Sequence, residues 1–224
     1  FTAEKLSVEE CFQTYLLFAR YYASILIRAN EMQANKEENY YHNILKMLDA
    51  ERDNIAAGQK WTAEFTQKDD RAAELCAVYS DYAHDFMSLR LHPHKDIEWL
   101  NSGLAAARKL NLRQSECNSL NNLGLAHKNL GDNRKAAEFY ERALKIAREI
   151  GYPLGVSNTL NNLGTAYNSL GEHQKAIKCY SQSLDTSREI ENKLGESNTL
   201  HNLGLVHANL GEYQKAIEYY SALA

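Results

Sequence analysis

Two alternating apolar stripes run through the second half of the chain. Leu120, Leu123, Gly124 and His127 fall at i, i+3, i+4 and i+7, the spacing of one helix face, and Leu160, Leu163, Gly164 and Tyr167 repeat it. A second stripe follows, made of Ala136, Tyr140, Ala143, Leu144 and Ala147. Between the stripes Gly131, Gly171 and Gly211 each follow a leucine, and each is expected to close the first helix in a positive-φ conformation. A second turn around Gly151–Pro153 leads into the next copy. The spacing predicts helices of roughly 16–18 residues, about 25 Å long. Neither helix buries its stripe alone, so the copies must stack.

The period is forty residues. Asn121–Leu160 and Asn161–Leu200 are identical at 20 of 40 positions without a gap, and a third copy opens at His201. Gly124, Gly164 and Gly204 are read as packing residues that let the first helix approach Ala136, Ala176 and Ala216 on the second. One period earlier, Ile97–Asn111 aligns without a gap on Ala137–Gly151, and Gly103 takes the small position of Ala143. The partner helix is predicted at about Ala72–Leu89. The stretch Leu91-His92-Pro93-His94 replaces the leucine–glycine turn, and Asp96 stands where alanine belongs, so this is a degenerate repeat that starts the stack.

Nothing before Asp70 fits the period. Ser7 and Glu10 form a capping-box signature that opens a helix to about Glu31, with Tyr15, Ala19, Tyr22 and Leu26 on one face. Asn30–Asn39 is polar and predicted as a turn. A second helix carries Tyr41, Ile44, Leu45 and Leu48, and a third carries Ile55, Ala56, Gln59 and Phe65. The expected organisation is a helical segment at 1–69, a degenerate repeat at 70–112 and an array at 113–224.

The string NLGxAxxxLGxxxKAxxxYxxAL resembles the tetratricopeptide repeat in its long form. The resemblance implies an all-α fold, a right-handed α-solenoid preceded by the N-terminal helical segment, whose first helices line a concave groove. Similar long repeats occur in kinesin light chains, in Pins-type scaffolds and in the sensor arms of STAND-class signalling ATPases. The run Leu48-Asp-Ala-Glu51-Arg-Asp53-Asn54-Ile-Ala-Ala57, followed by Trp61, resembles the LxxExDNLRAALxW segment of NB-ARC and related STAND ATPases. There it joins the nucleotide-binding and winged-helix parts to the repeat arm. Gly58 departs from the leucine of that pattern. Asp53 and Asn54 are read as helix-boundary or inter-helix hydrogen-bonding residues rather than a catalytic pair.

Composition narrows the chemistry. The 224 residues carry net charge −4 and no basic block, which argues against a nucleic-acid partner. Cys11, Cys76, Cys117 and Cys179 lie far apart, which fits reduced thiols in a cytoplasmic protein. The apolar stretch Tyr15–Ile27 is interrupted by Arg20 and polar residues, so no membrane span is expected. No GxxxxGK[ST], GxSxG, HExxH or EF-hand string occurs. No catalytic residue, metal ligand or cofactor is predicted, and His92 and His94 are read as solvent-facing. Phe1 opens the chain without methionine, and the third copy breaks off in its second helix, so a piece of a longer protein is expected.

The asparagines form a pattern of their own. Asn118, Asn122 and Asn129 share one face of a first helix. Asn158 and Asn162 repeat it with Thr165 and Ser169 alongside, and Asn198, Asn202 and Asn209 repeat it again. Asparagine costs very roughly 0.6 kcal/mol against alanine inside a helix, so a repeated row invites an explanation. By the tetratricopeptide resemblance these ten residues line the groove. Amide rows suit a peptide main chain, a protein segment or a small polar inducer, and suit a terminal carboxylate poorly. The alternative is that the amides bond between helices and fix the stack. Three roles follow from the resemblances: a STAND sensor arm with an intramolecular contact to an ATPase domain outside this chain, a peptide scaffold, and a peptide-pheromone receptor.

Overall fold

The computed structural model describes the backbone of residues 7–34, 38–87 and 93–223. Eleven helices and no strand occur among the described residues. The chain divides into two units, residues 1–115 and 116–224.

The first unit begins with α1 (Val8–Ala34). Its capping box is formed: Ser7 N–H donates to Glu10 Oε2 at 2.8 Å and Glu10 N–H donates back to Ser7 Oγ at 3.2 Å. The helix runs past Glu31, so part of the stretch predicted as a turn is helical. Met32, Gln33 and Ala34 are good helix formers, and neither Gly nor Pro stops them. Helix α2 (Glu38–Ala50) and α3 (Arg52–Phe65) follow, then α4 (Asp70–Met87) and α5 (Pro93–Lys109). The side chains of Tyr41 and Ile44 lie outside the described residues. Ala19, Tyr22 and Leu26 are buried as predicted, but Tyr15 is 54% exposed and stacks on Trp61 with centroids 6.2 Å apart.

Gly58 is explained by a close approach. Tyr79 of α4 is fully buried and donates its hydroxyl to the Ala19 carbonyl at 2.9 Å, which brings its ring over Gly58. A Cβ at Gly58 would collide with that hydroxyl, so the departure from leucine makes room for the α1–α4 bond. Gly103 serves α5 in the same way, since a Cβ there would collide with the Ser80 side chain. Pro93 and His94, predicted in a loop, belong to α5, where Pro is compatible with a helix start. His92 lies outside the described residues. Asp96 is buried at the expected alanine position.

The repeats are regular. Helices α6 (Arg113–Asn129), α8 (Pro153–Ser169) and α10 (Lys193–Asn209) are first helices. Helices α7 (Asn133–Glu149), α9 (His173–Glu189) and α11 (Tyr213–Ser221) are second helices. The five complete ones have 17 residues each, within the predicted range. Gly131, Gly171 and Gly211 have φ of 82°, 75° and 76°. After each, the next N–H reaches back to a carbonyl five residues earlier, as from Asp132 to His127 at 3.0 Å, closing a Schellman turn. The second turn uses the same device at Gly151, and also at Asn111 (φ 54°) and Glu191 (φ 55°). Asn111 therefore extends the forty-residue register back to the end of α5.

The core of the second unit alternates between pairs. Ala136, Tyr140 and Leu144 pack on Leu160, Leu163 and Ala166; then Ala176, Tyr180 and Leu184 pack on Leu200, Leu203 and Val206. The small glycines face tyrosines. A Cβ at Gly124 would sit 2.5 Å from the Tyr140 ring, and one at Gly164 would sit 2.6 Å from the Tyr180 ring. The nearest atoms are thus the rings, rather than the alanines named from the sequence.

Candidate functional site

The first-helix face of the second unit carries the predicted amides. Asn158 and Asn198 are exposed and Asn118 is half-buried, and none of the three makes a hydrogen bond among the described residues. Asn129, Ser169 and Asn209, near the helix C-termini, are exposed as well. These six polar side chains are uncharged, with donors and acceptors open to solvent.

The middle row is different. Asn122, Asn162 and Asn202 are half-buried. Asn162 Nδ2 donates to Asn121 Oδ1 at 3.2 Å, and Asn202 Nδ2 donates to Asn161 Oδ1 at 2.9 Å. Thr159 and Thr199 donate to the same two acceptors at 3.4 and 3.5 Å. Each bond joins one first helix to the next, so Asn162 and Asn202 link repeats. Thr165 works within its own repeat, donating to the Asn161 carbonyl at 3.0 Å and accepting from Tyr180 Oη at 3.2 Å. Leu125 replaces Thr165 one period earlier, and the buried Tyr140 hydroxyl there has no partner among the described residues.

Asn121 and Asn161 escaped the sequence reading, although they stand beside the row and recur with the period. A hydroxyl seam behind them also escaped it. Ser157 Oγ lies 2.6 Å from Ser187 Oγ, and Ser183 Oγ donates to the Ser157 carbonyl at 2.9 Å and lies 3.1 Å from Thr199 Oγ1. One period earlier the same places hold Cys117, Ala143 and Ala147, with Cys117 Sγ donating to the Ala143 carbonyl at 3.4 Å. The seam connects α8, α9 and α10 to the amide row.

The histidines pack as expected. His127 is buried and stacks on Phe139, with centroids 5.3 Å apart, and His207 stacks on Tyr219 at 5.4 Å. Burial, then the nearby Lys135 charge, holds His127 below the usual histidine range. Tyr167 occupies the same column and donates to Glu141 Oε1 at 2.6 Å. Burial first, and that bond second, push its hydroxyl up.

In the first unit the Leu48–Trp61 string crosses the joint between α2 and α3. Glu51 stands at the joint and accepts from Tyr22 Oη at 2.9 Å and Asn54 Nδ2 at 2.7 Å. Asp53 lies in the first turn of α3 beside Arg52, at 3.4 Å. Asn54 is a helix-boundary residue, and Tyr22 ties the joint to α1. None of the four cysteines is in a disulfide; Cys76 and Cys117 are buried, Cys11 and Cys179 half-buried. Among the described residues no His, Cys, Asp or Glu cluster could hold a metal, and no helix is long and apolar enough to cross a membrane.

Helix pairs repeating every forty residues, each closed by a left-handed turn, define a paired-helix α-solenoid. Residues 117–149 and 155–222 match the tetratricopeptide repeat family. The chain carries tetratricopeptide repeats, a protein-binding and generally non-catalytic architecture.

No curated protein matches the chain in sequence. Solved structures share its fold at low identity. A STAND protein (signal transduction ATPase with numerous domains) with a tetratricopeptide repeat sensor, from Pyrococcus horikoshii, is 18% identical at TM-score 0.61; the match covers 80% of this chain and 29% of that protein. A Rap protein complexed with competence and sporulation factor is 15% identical at TM-score 0.63, covering 98% of this chain and 66% of the other. A putative kinesin light chain from Podosopora anserina is 17% identical at TM-score 0.53, covering 92% and 94%. At these identities the likeness concerns the fold.

Proposed function

We propose that the chain is the non-catalytic sensor arm of a STAND-class signalling ATPase, binding a peptide or protein segment along the amide-bearing first-helix face. The α2–α3 joint carries this reading. Its sequence resembles the STAND linker, and Glu51 pins it to α1 through Tyr22. A scaffold has no need of such a joint ahead of its repeats. The fold shared with a STAND sensor supports the same reading. In this role the arm holds a separate ATPase domain inactive until an inducer occupies the groove.

A peptide-pheromone receptor is the second reading, favoured by the Rap structure, whose fold match extends over the first unit as well.

The reading frame upstream of Phe1 tests the proposal. A P-loop domain there, with ATP turnover that rises when residues 116–224 are deleted, is the expected result. A frame without a P-loop, or turnover indifferent to the deletion, overturns the sensor reading.

A further inference from the structure

The first unit contains a cleft that the repeat face does not use. It lies between α3 and α5 and encloses about 490 Å³, within the range of small-molecule sites. One wall is Trp99, half-buried and packed against the core of the unit, so the indole is a rigid surface. Gln59 lines the cleft and is only 4% exposed. Its main-chain carbonyl accepts from Thr62 Oγ1 at 2.8 Å, yet its side-chain amide has no hydrogen-bond partner among the described residues. Among the described residues neither amide atom is a sealed orphan of the kind found at Tyr140, and the residue lines the cleft. A nearly buried amide without a partner is an unmet donor and acceptor, the feature a bound polar group satisfies.

The rim carries both signs of charge. Lys60 and Lys95 stand with Glu64 and Glu98, and Lys60 pairs only loosely with Glu64 at 4.0 Å across exposed side chains. A rim of one sign would select an ion of the other; a mixed rim matches a zwitterion. An aromatic wall, a buried amide at depth and a mixed-charge rim are the three parts needed for one ligand class.

We propose that this cleft binds a small aromatic zwitterion with a polar-tipped ring, an amino acid of the tyrosine or tryptophan type. The ring lies against Trp99, and its hydroxyl or N–H bonds the Gln59 amide. The carboxylate meets the lysines and the ammonium meets the glutamates. This site is independent of the groove on the second unit.

The test uses the whole chain and four named probes: L-tyrosine, L-tryptophan, L-phenylalanine and tyramine. Nitrogen-15 NMR should show shifts of the Trp99 indole and Gln59 side-chain amides, with a dissociation constant between about 10 μM and 1 mM for L-tyrosine. L-phenylalanine, lacking the polar tip, should bind about tenfold more weakly, and tyramine, lacking the carboxylate, should also lose affinity. Gln59→Leu should erase the preference for tyrosine over phenylalanine. Replacing Asn118, Asn158 and Asn198 with alanine should leave all four titrations unchanged, which separates this site from the groove. No shift at about 1 mM of any probe, shifts confined to residues 116–224, or a tyrosine preference that survives Gln59→Leu would each overturn the proposal.

Discussion

Glu191 holds φ 55° where the preceding repeat uses Gly151, and the turn leaves open space around the Gly151 Cβ position. The strain at Glu191 is therefore of the backbone, not of crowding. A non-glycine residue in this region costs roughly 1–2 kcal/mol, part of which glycine returns as lost chain entropy. Glu191→Gly should stabilise the chain by about 1 kcal/mol and raise Tm by about 2–4 °C in a thermal melt. An unchanged or lower Tm would contradict that account of the turn. Asp81 offers a second test at this scale. Burial pushes its carboxyl up to about 7, the Ser115 hydroxyl pulling the other way, and its Oδ1 has no hydrogen-bond partner among the described residues. The unfolded chain ionises this group near 3.8. Between those values the folded chain keeps a proton that the unfolded chain has lost, so stability is highest below about pH 4 and falls as pH rises to about 7. The decline this one group contributes is on the order of 4 kcal/mol. Urea unfolding at about pH 5 and about pH 8 should show Asp81→Asn flattening it; an equal decline in the variant would exclude Asp81 as its source.

At the scale of elements, the hydroxyl seam replaces a nearly apolar interface one period earlier. Removing a single member leaves a buried group without its partner, whereas exchanging the set for its apolar counterparts removes the demand altogether. Ser157→Ala alone should cost about 1 kcal/mol. The combined change Ser157→Cys, Ser183→Ala and Ser187→Ala, which copies Cys117, Ala143 and Ala147, should be neutral or stabilising by denaturant titration. A triple variant less stable than the single one would show that the seam acts cooperatively. Much of this level was legible beforehand, because a forty-residue period repeats helix, turn and helix with each copy checking the other. Gly131, Gly171 and Gly211 announced their turns. The contacts between copies were less legible. Asn121 and Asn161 are acceptors for residues some forty positions later, and composition alone does not say which of two adjacent asparagines faces the next helix. Gly58 looked like a weak helix residue until Tyr79, 21 positions on, supplied the reason. The non-repeating α1–α3 had no second copy against which to check Tyr15 or the end of α1.

For the whole molecule, two sets of asparagines divide the first-helix face between them. Asn162 and Asn202 tie repeats together, while Asn118, Asn158 and Asn198 present amides with no internal hydrogen bond among the described residues. Under the proposed sensor reading, those open amides, with Asn129, Ser169 and Asn209 beyond them, are the groups that would meet a peptide main chain. Replacing them with alanine removes solvent-facing polarity and adds helix propensity, so stability should hold. Each lost bond to a ligand weakens binding by roughly 0.5–1.5 kcal/mol. The direct measurement is selection of a random-sequence peptide library on the chain, followed by titration of the enriched peptides. The triple variant Asn118→Ala, Asn158→Ala, Asn198→Ala should bind these peptides about tenfold or more weakly with its Tm unchanged. Peptides that bind the triple variant as tightly as the original chain would contradict it.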